Sequence, residues 1–181
     1  LKLIAASDSQ GGVINEKGID PKALIDHKNK TGKVAGFPGT RPISNEELLE
    51  LKVDVLFPSA LENQITAKNA SRIKAKISCE LANGPTTPEA DEILYKNGVV
   101  VLPDFLANAG GVTVSYFEQV QNTYNYYWKL EDVQKQLDEK MTRAFHAVWD
   151  MSKKEKVHMR LAAYMVAVKR VAEASKLRGW I

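Results

Sequence analysis

Four short apolar segments punctuate the first two-thirds of the chain, at residues 1–6, 53–57, 75–79 and 99–102. Each stops abruptly. Ser7-Asp8-Ser9 follows the first, Pro58 the second, Glu80 the third and Pro103 the fourth. Helical stretches lie between them. A strand–helix–strand repeat of this kind demands parallel pairing with right-handed crossovers. Most of the segments are apolar along their length rather than alternating, as expected of strands covered on both faces. The expected fold is therefore α/β, a doubly wound parallel sheet, followed by helices in the last third.

The helix signals are specific. Asp20-Pro21 supplies an N-cap and a first-turn proline, and Gly32 follows the end of that helix. Ser44 with Glu47 forms a capping box for a short helix at 45–50. Thr87-Pro88 opens another, which closes at Lys96-Asn97-Gly98. Gly11-Gly12 and the stretch Gly36 to Pro42 read as loops. Farther on, Val133, Leu137, Met141, Phe145, Val148 and Met151 recur every three or four residues and give one apolar stripe. An Ala-rich helix covers 159–176 and ends before Gly179.

Composition narrows the function. The chain has 181 residues, 44% of them hydrophobic and 26% charged, which suits a globular core and excludes disorder. The net charge of +3 is too small to argue for nucleic acid or an anionic membrane. No apolar run reaches the roughly 20 residues that span a bilayer, and no secretory signal opens the chain. The single cysteine, Cys79, cannot pair internally, which fits a reducing cytoplasm. Cys79 itself reads as a buried strand residue. His27, His146 and His158 lack zinc-ligand spacing, so no metal site is expected. Tyr124, Tyr126, Tyr127 and Trp128 read as a packing cluster. A start at Leu1 rather than Met suggests that sequence lies upstream.

In an open parallel sheet, ligands bind beyond the carboxyl ends of the strands. Ser7-Asp8-Ser9, Pro58-Ser59-Ala60, Glu80 to Gly84 and Pro103-Asp104 stand there. Asp8 has two readings: an acceptor for an adenosine ribose, or an Asx turn. A glycine fingerprint should precede such an acid by about 20 residues, and Gly11-Gly12 is not one. Asn83 offers an amide donor and acceptor, or simply an Asn-Gly turn. Asn108 precedes Gly110-Gly111, where a ligand could approach backbone N–H groups near a helix start. Ser115 could bind a substrate carboxylate or only its own backbone.

Longer motifs carry a resemblance. They are Ser7-Asp8-Ser9, Thr31-Gly32 with Gly36-Phe37-Pro38-Gly39, Ser59-Ala60-Leu61-Glu62-Asn63-Gln64-Ile65, Ala82-Asn83-Gly84-Pro85-Thr86-Thr87-Pro88-Glu89-Ala90-Asp91, the run from Pro103 to Glu118, and Leu177-Arg178-Gly179-Trp180. The chain resembles the nucleotide-binding part and C-terminal helices of hexameric glutamate dehydrogenases, within the Glu/Leu/Phe/Val dehydrogenase family. The resemblance implies an incomplete Rossmann-like sheet at 1–128, with its first strand and glycine loop missing. It implies a helical segment at 129–181 that packs back on the substrate cleft. NAD or NADP would lie along Ser7, Asp8, Ala60, Asn83 and Asn108, with Asn63 nearby, and Asp8 favours NAD by repelling a ribose phosphate. Val112 and Ser115 would line the glutamate pocket. The implied reaction is oxidative deamination of L-glutamate to 2-oxoglutarate and ammonia, in a homohexamer when complete. The family's catalytic lysine and aspartate belong to a substrate domain outside these residues, so no catalytic residue is assigned. Leu81 stands where many members have glycine. The alternatives are a leucine, valine or phenylalanine dehydrogenase, or a non-catalytic nucleotide-binding or assembly module.

Overall fold

A computed structural model describes all residues from 1 to 181. The chain divides into two compact units, one of residues 1–53 and 72–75, the other of 54–71 and 76–181. This division by contacts is a different one from the expected partition at 128 and 129.

In the first unit, β1 (Ala5–Asp8) turns through Ser9 and Gln10 into β2 (Gly11–Ile14), and β3 (Arg41–Ile43) completes a sheet of order β1-β2-β3. Both pairings are antiparallel. The expectation of a buried, parallel first strand followed by a loop is thus corrected. A two-residue connection can join only antiparallel neighbours, because a parallel pair needs a long crossover. Gly12 pairs with Ile43 and is a glycine for a steric reason: a Cβ there would lie 2.8 Å from the Ile43 carbonyl oxygen. The last two residues of the stretch read as a loop, Arg41 and Pro42, likewise belong to a strand, Arg41–Ile43.

Helix α1 (Pro21–Thr31) begins as read, with Asp20 accepting from the Lys22 and Ala23 amides. It ends where Gly32 takes a φ of 78°, a conformation cheap only for glycine. The Ser44–Glu47 capping box opens α2 (Asn45–Leu49). Val13, Ile19, Leu24 and Val34 form the core of this unit.

The second unit holds the parallel sheet, order β4-β5-β6. Its strands are β4 (Val55–Leu56), β5 (Ile77–Cys79) and β6 (Val100–Leu102). Val55 pairs with Ile77, and Ile77 with Val100. Helix α3 (Pro88–Lys96) is capped by Thr87 and forms the crossover from β5 to β6. Helices α4 (Asp104–Ala107), α5 (Gly110–Tyr124), α6 (Leu130–Glu155) and α7 (Met159–Leu177) follow. The α/β class with C-terminal helices holds.

Val148 of the predicted α6 stripe joins Leu106, Met159, Ala162 and Ala163 in a core against which Val100 and Leu102 of β6 pack. This contact fixes the start of α7 over the carboxyl end of β6. The aromatic cluster after α5 departs from expectation. Trp128 packs on Phe117, with ring centroids 5.6 Å apart, but Tyr124, Tyr126 and Tyr127 are exposed. Cys79 is half-buried rather than buried. No helix is long and apolar enough to cross a membrane.

Candidate functional site

The carboxyl ends of β5 and β6 carry the site. The chain leaves β5 through Glu80 into the loop Leu81–Pro85, and leaves β6 through Pro103 into α4. These two exits lie side by side because the strands are adjacent and parallel, with Cys79 opposite Leu102. Asn83, in the first exit, and Asn108, the residue that ends α4, are thereby brought together. The Asn108 side-chain nitrogen donates to the Asn83 side-chain oxygen at 2.8 Å. Each amide keeps its other half outside this bond: the oxygen of Asn108 as an acceptor, the nitrogen of Asn83 as a donor.

Asp104 organises the pair. Its Oδ2 accepts the Gly84 backbone amide at 2.8 Å, and its carbonyl accepts the Asn108 backbone amide at 2.9 Å. Its own amide donates to Glu80 Oε2 at 2.9 Å. Gly84 sits at a φ of 55°, the left-handed conformation that Asn-Gly turns favour. So the Asn-Gly turn reading is physically present, and it is this turn that presents the Asn83 amide.

Behind the amides lies a charge cluster that the sequence did not announce. Arg160, one residue into α7, sends Nη1 to Asp104 Oδ1 at 2.8 Å. Its Nη2 donates to both oxygens of Glu80 at 2.7 Å, and its Nε donates to Asp91 Oδ2. Glu80 is fully buried, and Asp91 nearly so. Three carboxylates around one guanidinium leave an excess of negative charge in a poorly solvated place. Burial pushes the Glu80 carboxyl above its ordinary value, against the opposing pull of Arg160. Burial also works against the Arg160 cation, but Asp91 and Glu80 outweigh it and hold the proton more firmly than usual. The available signal in the sequence was an arginine in the first turn of an Ala-rich helix, together with an acid directly after an apolar strand.

The remaining predicted residues fall as follows. Ala60 is exposed in the loop after β4. Asn63, at a φ of 54°, donates its amide to the Gly84 carbonyl at 2.9 Å, so that loop is tied to the Asn83 turn. Val112 and Ser115 lie on the first turns of α5, both exposed. The Ser115 hydroxyl donates to the Gly111 carbonyl at 3.1 Å, the local bond that helix serines commonly make. A Cβ placed on Gly111 would meet nothing within 4 Å, so open space adjoins this helix start.

Ser7 and Asp8 belong to the other unit. The Ser7 hydroxyl donates to Asn45 Oδ1 at 3.1 Å. Asp8 Oδ1 accepts the Gln10 amide at 2.9 Å in an Asx turn, and Oδ2 accepts the Val34 amide at 2.9 Å. Lys28 Nζ lies 3.4 Å from the same oxygen. The Gln10 amide, aided by Val34 and Lys28, lowers the Asp8 pKa although partial burial opposes it. The turn role is therefore real, and both carboxylate oxygens already have partners. No cluster of three or more metal-ligating side chains is present.

An α/β unit with amides and carboxylates converging at the ends of parallel strands places the chain in the open-sheet class, in which the strand ends are the usual ligand position. The chain belongs to the Glutamate/Leucine/Phenylalanine/Valine dehydrogenase family, whose model matches residues 1–179. It is 51% identical over 174 residues to an NAD-specific glutamate dehydrogenase of Clostridioides difficile, covering 96% of this chain and 41% of that protein. It is 54% identical over 178 residues to a glutamate dehydrogenase of Thermotoga maritima, covering 98% and 43%. Among solved structures, the glutamate dehydrogenase of Peptoniphilus asaccharolyticus superposes with a TM-score of 0.81 at 38% identity, covering 99% of this chain and 42% of that one. A hetero-hexameric glutamate dehydrogenase of Thermus thermophilus superposes with a TM-score of 0.87 at 29% identity, covering 98% and 42%. The chain thus spans about two-fifths of the length of these relatives.

Proposed function

We propose that this chain is the cofactor-binding part of an NAD-dependent glutamate dehydrogenase, which oxidises L-glutamate to 2-oxoglutarate and ammonia. The Asn83–Asn108 pair carries the reading. Two amides joined by one bond keep the whole Asn83 amino group to donate and the whole Asn108 carbonyl to accept, a set that matches a carboxamide or a pair of ribose hydroxyls. The donor chemistry therefore fits a nicotinamide nucleotide.

When bound, the nicotinamide supplies an acceptor for hydride from the substrate α-carbon. The residues of this chain would do the positioning. Asn83 and Asn108 orient the cofactor, with Ala60 and Gly84 allowing close approach of backbone. The family resemblance implies Ser7 and Asp8 as further cofactor residues. Val112 and Ser115 are assigned to the substrate pocket, the Ser115 hydroxyl turning from the Gly111 carbonyl to the glutamate side-chain carboxylate. Holding both partners in one orientation is the larger part of what such a site contributes.

Glutamate is preferred over leucine, valine or phenylalanine because relatives about half identical to this chain are named glutamate dehydrogenases. NAD is preferred over NADP because relatives from Clostridioides difficile and Staphylococcus aureus are named NAD-specific. The hetero-hexameric Thermus relative makes a hexamer the expected assembly of the full-length protein.

The test is an assay of the full-length gene product with glutamate, leucine, valine and phenylalanine, each with NAD and with NADP. Glutamate with NAD should give the highest kcat/KM. Preference for another amino acid would move the substrate assignment. Inactivity with all four would leave a nucleotide-binding or assembly role.

A further inference from the structure

We propose that Arg160 is a positioning residue for the cofactor amides and through them sets the affinity for NAD. The inference rests on the reading that NAD binds at Asn83 and Asn108. Arg160 touches neither amide. It reaches them through Asp104, whose carboxylate divides its two oxygens between Arg160 Nη1 and the Gly84 amide, both at 2.8 Å. The same residue's carbonyl holds the Asn108 backbone amide. One side chain therefore sets the direction of both amide-bearing segments, and Arg160 fixes that side chain.

The second arm runs through Glu80, which grips the Asp104 backbone amide at 2.9 Å and both faces Arg160 and is fully buried. Arg160 thus clamps Asp104 from the side chain and, through Glu80, from the backbone. The third arm, to Asp91, ties the clamp to the first turn of α3. Stability alone does not call for this arrangement, since replacing a whole buried ion cluster by well-packed apolar residues is often neutral or stabilising. What a planar, forked cation adds is fixed direction at three acceptors at once.

A lysine at this position keeps the charge but not the fork. Its donors spread from a single atom and cannot hold Glu80, Asp91 and Asp104 in their present directions together, so Asp104 is held less firmly. Removing the clamp should therefore loosen the amides without touching the reacting atoms. The effect belongs on cofactor binding rather than on the chemical step.

The experiment compares four full-length proteins: wild type, Arg160→Lys, Asp104→Asn and Val148→Ala. Val148 is buried in the core under α7 and takes no part in the hydrogen bonds of the clamp, so its truncation controls for lost stability. NADH affinity is read by fluorescence titration, NAD KM and kcat by assay, and stability by thermal melting. Arg160→Lys and Asp104→Asn should each weaken NADH binding about tenfold, within the usual range for coupled sites. Their NAD KM should rise alike, while kcat at saturating NAD stays within about twofold. Val148→Ala should melt lower yet bind NADH as wild type does. Wild-type affinity in Arg160→Lys and Asp104→Asn overturns the positioning role. So does weakening in Val148→Ala in proportion to its lost stability. If Arg160→Lys does not fold, Asp104→Asn decides alone. A wild-type protein that binds no NADH removes the cofactor reading, and this inference with it.

Discussion

Asn108 donates its side-chain amide to the side-chain oxygen of Asn83 at 2.8 Å, across 25 positions of sequence. The two residues meet because β5 and β6 are parallel neighbours whose carboxyl ends both turn into loops at the same level. Asn108→Ala removes the donor and the free acceptor together. In the full-length protein it should raise the NAD KM about tenfold, the value of one good hydrogen bond to a bound group. Melting temperature should barely move, since the pair lies near the surface. A large fall in melting temperature with unchanged NAD KM would make the pair a structural brace.

Ser115 separates a substrate role from a helical one. Its hydroxyl donates to the Gly111 carbonyl, and that bond alone contributes little to an exposed helix. Ser115→Ala should change stability by no more than about 0.5 kcal/mol. Glutamate turnover should fall well below that of wild type, whereas norvaline, which has no side-chain carboxylate, should be turned over nearly as before. Equal losses on both substrates would remove the carboxylate role.

Asp8 makes a prediction in pH. The Gln10 amide and its helpers lower the carboxyl's folded pKa below its ordinary 3.8. A group lowered on folding contributes stability above its unfolded pKa and loses it as pH falls through the folded value. Asp8→Asn should therefore be less stable than wild type near neutral pH, and the gap should narrow by about pH 3. Urea unfolding at both pH values checks this, and a gap independent of pH would assign Asp8 to shape rather than charge. If Asp8 also holds the ribose, Asp8→Ser should raise the NAD KM more than the NADP KM.

Glu80 runs in the opposite sense. Burial raises its folded pKa above the ordinary 4.5, so its contribution is full below that value and falls as pH rises through the raised one. Glu80→Gln should flatten this part of the stability profile. Thermal melts across acid to neutral pH would show it, and an unchanged profile would mean that Arg160 cancels the burial effect.

Leu94 tests the core that supports the crossover helix. It is wholly buried, at the end of α3. Leu94→Ala should cost about 3 kcal/mol, the sum of lost transfer energy and the cavity left behind. Chemical denaturation measures it, and a loss below about 1 kcal/mol would mean that the surroundings collapse into the space.

Much of the fold was legible because its signals are local. Asp20-Pro21, Ser44 with Glu47 and Thr87-Pro88 each cap a helix through bonds within four residues, so they read the same in sequence and in space. The antiparallel hairpin was not legible. Its turn, Ser9-Gln10, lacks the Asn-Gly or Asp-Gly signature, and Gly11-Gly12 looks like a loop until Ile43 is seen to press against Gly12. The exposure of Tyr124, Tyr126 and Tyr127 was equally hidden, because an aromatic run does not state which way it faces.

Sequence alone determined the class of strand and helix, the helix ends and the amide-bearing motifs at 82–84 and 107–109. Those follow from short-range sterics and hydrogen bonding, which act between neighbours along the chain. Only tertiary structure decided that Asn83 meets Asn108, and that Arg160 gathers Glu80, Asp91 and Asp104 from across 80, 69 and 56 positions. A buried charge must find its partners wherever the fold brings them. That choice is made by the packing of α7 on β6 and α6, which no single segment encodes.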